Sequence, residues 1–243
     1  MAPFPSLYPS NLPAIILAAG RGERMRPLTD TCPKPLLPVW GRPMIEWHLL
    51  ALARAGVHDV VINTAWLEHC FPAALGDGAR WGLRIRYSHE ARDHGAALET
   101  AGGIAKALPL LGEAFWVVSG DVVAPAMRFD GAVAQHFVNA DDDLAMVWLV
   151  PNPDFHPDGD FALSAAGRAV RPPPTIRRPL TYANIALLRA SMVNGVVPGS
   201  KAALGPLLFD AADAGRLAGR HLDGPWHNVG TPAQWQALRD APP

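Results

Sequence analysis

The sequence predicts an α/β fold, a doubly wound and mostly parallel mixed sheet. Short, wholly apolar runs of the kind buried inside a parallel sheet alternate with segments of helical periodicity for most of the chain. A β-α-β-α order of that kind is satisfied by right-handed crossovers with helices on both faces. The first strand is Ala14–Ala18, reading AIILA. A helix follows in MIEWHLLALARAG, with Ile45, Leu49 and Leu52 on one face and Gly56 as its stop. DVVIN is the next strand, LEHCFPAAL a helix that Pro72 should kink or shorten, LRIRY a strand, LETAGGIAKALPLL a helix and FWVVSGD a strand. FDGAVAQHF reads as a helix and LAMVWLV as a strand. The rhythm then changes: GDFALSAAGRAV is a hairpin turning at Ala165-Ala166-Gly167, RPPPTIRRP an irregular connection and TYANIALL a strand. AALGPLLFDAADAG is a helix, RLAGRHLDGPWHNVG is extended, and TPAQWQALRDA is a helix capped by Thr231 with Pro232 in its first turn.

Composition bounds what such a domain can be. Across 243 residues, 49% are hydrophobic and 18% charged, enough for a sizeable core, and the net charge is -1. There is no global basic field to recruit nucleic acid, so attraction for an anion has to be local. Cys32 and Cys70 form no CxxC pair, which argues against a disulfide framework or structural zinc. No run has the length to span a bilayer, and the proline-rich start lacks the pattern of a signal peptide. The expectation is a cytoplasmic protein with a flexible extension over residues 1–13 and one domain over 14–243, with neither repeats nor a linker.

The local attraction is found in LAAGRGERMRPLTDTCPKP, Leu17 to Pro35. Gly20 and Gly22 directly follow the first strand, at the carboxyl edge where α/β sheets bind ligands. Glycine lets backbone N–H groups turn toward an anion. Arg21, Arg24, Arg26 and Lys34, with Arg42 a little beyond, outnumber the acids Glu23 and Asp30. Guanidinium forks and an ammonium both suit phosphate oxygens. The pattern is neither a Walker A loop nor a dinucleotide fingerprint: Met25 stands where the third glycine belongs, and Asn63 where an acid would end the second strand. HEARDH is not a zinc-protease helix, because His89 and His94 are spaced wrongly for one.

LAAGRGERMRPLT followed by PKPLLPV resembles the signature of sugar-1-phosphate nucleotidyltransferases, and the resemblance continues through GRPMIEWHL, LETAGGIAKALPLLG, VVSGD and VGTP. It implies a Rossmann-like, GT-A-like nucleotide-diphospho-sugar transferase fold, with a nucleotide-binding half over about 14–125 and a sugar-binding half over about 126–243. It implies a reaction in which a sugar 1-phosphate attacks the α-phosphorus of a nucleoside triphosphate and releases pyrophosphate. The nucleophile is already an anion, so catalysis is positioning and electrostatic stabilisation. Carried over by position, Leu17, Ala18, Ala19, Gly20 and Gly22 cradle the nucleotide, Arg24 and Lys34 neutralise phosphates, and Asp121 binds Mg²⁺. Thr100, Gly102 and Gly103 of the LETAGG loop and Glu90 after the LRIRYS strand flank the base. Glu99, Asp160, Thr181 and Asn184 fall on the sugar side.

The chain departs from the pattern twice. Glu99 replaces a glycine of the base loop, and Asn228 stands where many members carry the second metal-binding aspartate. An amide oxygen still ligates Mg²⁺ but without the charge, whereas the neighbouring His227 suits a hard cation poorly. The tryptophans of VWG, TAW and PWH are read as packing residues. Within the family the chain resembles the uridylyltransferases of N-acetylmuramate α-1-phosphate, which act in cell-wall recycling. The implied substrates are therefore UTP and that sugar phosphate, with a monomer or small homo-oligomer and no nucleic-acid or membrane partner. Mannose-1-phosphate guanylyltransferase and glucose-1-phosphate thymidylyltransferase are the alternatives. A regulator that binds nucleotide sugars without turnover is another class, disfavoured because Arg24, Lys34 and Asp121 are all present.

Overall fold

The computed structural model describes residues 12–140, 142–172 and 179–241. The expected extension over 1–13 lies almost wholly outside the described residues, as does most of the irregular connection after Val170. Strand β1 (Ala14–Leu17) is followed by a small hairpin of β2 (Pro38–Val39) and β3 (Arg42–Pro43), then α1 (Met44–Arg54) and β4 (Asp59–Thr64). Next come α2 (Cys70–Leu75), β5 (Arg84–His89), α3 (Glu90–His94), α4 (Glu99–Ala107), β6 (Ala114–Ser119) and β7 (Val122–Val123). The later part adds α5 (Gly131–Asn139), β8 (Ala145–Pro151), the hairpin β9 (Ala162–Leu163) and β10 (Ala169–Val170), and β11 (Leu180–Arg189). The described chain closes with α6 (Leu204–Asp213), β12 (Leu217–His221), β13 (His227–Asn228) and α7 (Pro232–Asp240).

One seven-stranded sheet, in the order β12-β8-β11-β6-β1-β4-β5, takes strands from both halves of the sequence. Only β11 runs antiparallel to its neighbours. The alternation of side chains explains why the strands are apolar throughout. Ile16, Ile62 and Trp116 point to a core shared with Leu49, Phe71 and Phe137, while Ile15, Val61 and Phe115 point to a second core with Ile104 and Leu208. Each of these fully buried side chains contributes roughly 2 kcal/mol. A third, smaller core joins Met25, Leu37, Val39, Met44, Val229 and Trp235, and fastens α7 and the loop after β1 to the sheet edge.

The helices differ from expectation at their ends. α2 begins at Cys70, not Leu67, so Pro72 falls in its first turn, where a missing N–H leaves no intrahelical bond unmade. α4 stops at Ala107 and gives way to a 3₁₀ turn, Leu108–Leu110, around Pro109. Asp130 caps α5 by accepting from the Ala132 N–H, and Thr231 caps α7 with Pro232 behind it, as its sequence predicts. β11 carries an irregularity between Tyr182 and Ala186, with Asn184 at φ 57°.

α1 also sets the position of β7. His48 is 1% exposed and its Nε2 lies 2.7 Å from the Val122 carbonyl oxygen, so the neutral ring donates there. Burial depresses its pKa from 6.5 to about 4. Between these values the unfolded chain binds a proton that the folded chain does not, so stability falls as the pH drops from 6.5 toward 4 and is fully present above 6.5. The loss from this group is on the order of 3 kcal/mol. Urea titrations at stepped pH are expected to show that slope in the native chain and a flatter one in His48→Gln; parallel slopes would contradict the assignment.

Candidate active site

Parallel pairing brings three strand ends level. Leu17 of β1 is opposite Asn63 of β4 on one side and Ser119 of β6 on the other. These residues line a cavity of about 290 Å³ together with Ala18, Ala19, Gly20, Gly22, Lys34, Pro35, Ala97, Glu99, Thr100 and Asp121. The LAAGRG loop thus opens onto a cavity at the carboxyl edge, where the sequence puts it. The two glycines do different work. Gly22 has φ 67°, and a methyl on it would lie 3.1 Å from Thr29 Cγ2 and 3.4 Å from Lys34 Cβ. A methyl on Gly20 would meet no protein atom within 4 Å, so the space it leaves opens onto the cavity.

The cations of this segment sort into two groups. Arg21 donates to the Thr29 carbonyl and to Asp30, and stacks 3.6 Å from the Trp66 ring centroid. Arg26 shares Asp30, and Arg42 lies 3.9 Å from Glu46. The Arg21 hydrogen bond and the two nearby guanidinium charges hold the Asp30 carboxyl below its usual range. Lys34 and Arg24 remain. Lys34 Nζ reaches Asp121 Oδ2 at 2.5 Å, with only 14% of its side chain exposed. Arg24 is exposed beside buried Met25, with its guanidinium against Gly230: a methyl on that glycine would lie 3.5 Å from Nη2. Arg24 has no hydrogen-bond or ion-pair partner among the described residues.

Asp121 and Asn228 are separated by most of the second half of the sequence, yet they are neighbours here. β13 pairs antiparallel with β7, placing Asn228 opposite Val122, and the Val229 N–H donates to the Asp121 carbonyl at 3.0 Å. Gly120 lets the PKP segment close on this corner, because a methyl there would lie 3.1 Å from Pro35 and 3.2 Å from the Leu17 carbonyl oxygen. A carboxylate and an amide oxygen form a hard donor set that fits Mg²⁺, which is commonly held by one or two carboxylates plus substrate phosphates. Asn228 does not line the 290 Å³ cavity that Asp121 lines; it lines a second, larger recess of about 780 Å³ with His227, Trp226, Phe155 and Leu222.

The base-side residues are where sequence expectation needs correcting. Glu90 does not face the cavity: it is wholly buried, with one carboxylate oxygen accepting from Asn63 Nδ2 and the other from the Leu98 N–H, each at 2.7 Å. Burial raises its pKa, against the pull of those two hydrogen bonds. At the start of α4, the third and fourth amides are already used, because Ala101 and Gly102 both donate to the Ala202 carbonyl. A methyl on Gly102 would run into the Ser200 carbonyl, and one on Gly103 into Glu90 and Asn63, so these glycines permit close packing. Thr100 does line the cavity, and its Oγ1 accepts from the Leu204 N–H at 2.7 Å. Glu99 is exposed on the rim at φ 61°, a left-handed conformation that costs a non-glycine residue about 1 kcal/mol and suits the glycine of the resembling pattern.

On the other half, Thr181 is buried and donates to Asn152, while Asp160 accepts from the Tyr182 N–H and pairs with His156. Both shape the start of β11 and do not line the cavity. Asn184 is half-buried in the irregular part of that strand, where Trp226 Nε1 donates to the adjacent Ala183 carbonyl. The tryptophans serve packing, as expected: Trp66 donates to Thr29 and Trp40 to Ala241. Sequence reasoning missed Asn63 and Ser119. The signal was the single polar residue ending each apolar run, VVIN and FWVVS.

A glycine loop at a parallel-sheet edge, a lysine, a carboxylate and an arginine with no partner among the described residues fit the class of proteins that bind phosphate-bearing ligands. The comparison with known proteins makes the class specific. The nucleotidyl transferase family model matches residues 13–158. An N-acetylmuramate alpha-1-phosphate uridylyltransferase of Neisseria meningitidis serogroup B is 47% identical over 90% of this chain and 93% of its own length. A protein of the same name from Caulobacter vibrioides is 33% identical over 90% of this chain and 92% of its own. The crystal structure of a putative glucose-1-phosphate thymidylyltransferase from Bacillus anthracis superposes with a TM-score of 0.77 at 22% identity, covering 94% of this chain and 96% of that one, which shows the shared fold. The chain belongs to the nucleotidyl transferase family, whose members join a nucleoside triphosphate to a sugar 1-phosphate and generally use a divalent metal ion. No helix among the described residues is long and apolar enough to cross a membrane.

The two loop glycines give a paired test. Gly22→Ala forces a side chain into the left-handed region and is expected to cost about 1–2 kcal/mol of folding stability. Gly20→Ala is expected to fold within ~0.5 kcal/mol of the native chain yet to lose the thermal stabilisation that a nucleoside triphosphate confers. Denaturation with and without nucleotide reads both; equal stability losses for the two variants would refute the division.

Proposed function

We propose that the chain is a uridylyltransferase joining UTP to N-acetylmuramate α-1-phosphate, giving the UDP-sugar and pyrophosphate, as a cytoplasmic enzyme of cell-wall recycling. The observation carrying this is the near full-length match to a relative of that name, which extends beyond the family model into the second half of the chain. Residues of about 14–125 take the nucleotide and the remainder takes the sugar. Leu17, Ala18, Ala19, Gly20 and Gly22 bring backbone close to the phosphates, and Thr100 flanks the nucleoside. Arg24, without a partner among the described residues, meets the triphosphate. Lys34 turns from Asp121 toward phosphate oxygens, which lets one ammonium serve both the empty and the loaded site. Glu99 on the rim and Asn184 at the β11 irregularity are assigned to the sugar side.

Asp121 and Asn228 are the residues that would hold Mg²⁺, which when bound neutralises phosphate charge. No general base is needed, since the attacking sugar phosphate oxygen is anionic; Arg24 and Lys34 hold the two anions together against their repulsion.

Pyrophosphate release should be measured for the four nucleoside triphosphates against several sugar 1-phosphates. Turnover confined to UTP and N-acetylmuramate α-1-phosphate is expected, and preference for another pair would redirect the substrate assignment. Asp121→Ala should lower turnover by roughly 10²-fold or more, and near-native rates in that variant would remove Asp121 from the metal site. Adding a carboxylate by Asn228→Asp should reduce the Mg²⁺ needed for half-maximal rate by about tenfold; an unchanged titration would take Asn228 out of the coordination sphere.

A further inference from the structure

Ala18 N–H donates to Asn63 Oδ1 at 2.7 Å, Asn63 Nδ2 donates to Glu90 Oε1 at 2.7 Å, and Leu98 N–H donates to Glu90 Oε2 at 2.7 Å. This row of hydrogen bonds joins the backbone on the phosphate side of the cavity to the backbone leading into the rim residues Glu99 and Thr100. Its two side chains are at most 2% exposed, so water does not substitute for either. We infer that Glu90 and Asn63 are positioning residues that fix the distance between the phosphate loop and the loop flanking the nucleoside, and that the row works only when one of the two positions holds a carboxylate and the other an amide. The inference rests on the nucleotide-binding reading of the cavity.

The donor count makes the requirement sharp. Both ends of the row are backbone N–H groups, which only donate. Two donors meet Glu90, and a carboxylate is the side chain that accepts both. With Glu90→Gln, one of those N–H groups faces an NH₂. Flipping Asn63 does not repair this, because its own NH₂ then faces the Ala18 N–H. With Asn63→Asp, two carboxylates face each other across hydrogen-bond distance, and one must take a proton. The double exchange satisfies every group: the carboxylate now at 63 accepts from Ala18 and from the amide at 90, whose oxygen accepts from Leu98. The charge count is unchanged. Gly103 belongs to the same arrangement, since any side chain there would displace both Glu90 and Asn63.

The experiment compares Glu90→Gln, Asn63→Asp and the double variant with the native chain, each well below its own midpoint of unfolding. Each single variant is expected to raise KM for UTP about tenfold, the equivalent of about 1.4 kcal/mol, with KM for the sugar 1-phosphate held near native. The double variant is expected to recover most of the loss. A residue that only supported the fold would lower the midpoint without moving the UTP KM of the folded molecules. NMR amide exchange of Ala18 and Leu98 supplies a readout independent of turnover: protection at both sites falls together in the single variants and returns in the double. An unchanged UTP KM, or a double variant no better than the worse single, overturns the positioning role. Loss and recovery of amide protection in a chain that turns over no nucleotide would keep the hydrogen-bond row and overturn the nucleotide-binding reading instead.

Discussion

The pairing of β1 with β4 and β6 constrains everything that happens at the carboxyl edge. Leu17 lies opposite both Asn63 and Ser119, so three buried strands end on one line. Hydrophobic alternation enforces this register. A slip of one residue would exchange Ile15 with Ile16 and turn each into the wrong core. From that line the chain leaves in three directions, as the glycine loop, the β4–α2 connection and the Gly120–Asp121 turn. The cavity lies between the glycine loop, the Ser119–Asp121 turn and the Ala97–Thr100 segment. The antiparallel β11 beside β6 then brings the second half of the chain into the same sheet, and the β7–β13 pair returns Asn228 to Asp121.

Charge is placed with equal economy in a protein whose net charge is -1. Asp30 gathers Arg21 and Arg26, and Trp66 covers one face of the Arg21 guanidinium. These pairs are partly exposed, so salt screens them and their worth lies chiefly in fixing the loop's shape. The less exposed Lys34–Asp121 pair is screened less and holds two functional groups ready at the cavity wall. Arg24 has no ion-pair partner among the described residues and is anchored through its neighbour Met25 in the small core that also contains Val229 and Trp235. The same apolar cluster thus steadies the phosphate loop and the segment carrying Asn228.

Elements governed by local pattern were legible from the sequence. The apolar runs gave the strands, the 3.6-residue stripe of Ile45, Leu49 and Leu52 gave α1, and Thr231-Pro232 gave the start of α7. The glycine loop and its place after a buried strand were equally plain. Ends set by neighbours were less so. α2 starts late, after a turn in which Leu67 takes φ 47° and Trp66 donates to the Thr29 carbonyl, and Pro72 is harmless only once that start is known. The irregularity at Asn184 is held by Asp160, and neither residue signals it alone.

By itself, the sequence determined the fold class, the glycine loop at the sheet edge and the family, because these follow from periodicity and from a contiguous motif. The tertiary structure decided which polar residue meets which. Glu90 became a buried acceptor through Asn63 and Leu98, the Ala101 and Gly102 amides of α4 were claimed by Ala202, and Lys34 found Asp121 across 87 positions of chain. Hydrogen bonds and ion pairs are short-ranged and directional, so their partners are set by how strands and loops close in space. Spacing along the chain carries no record of that closure.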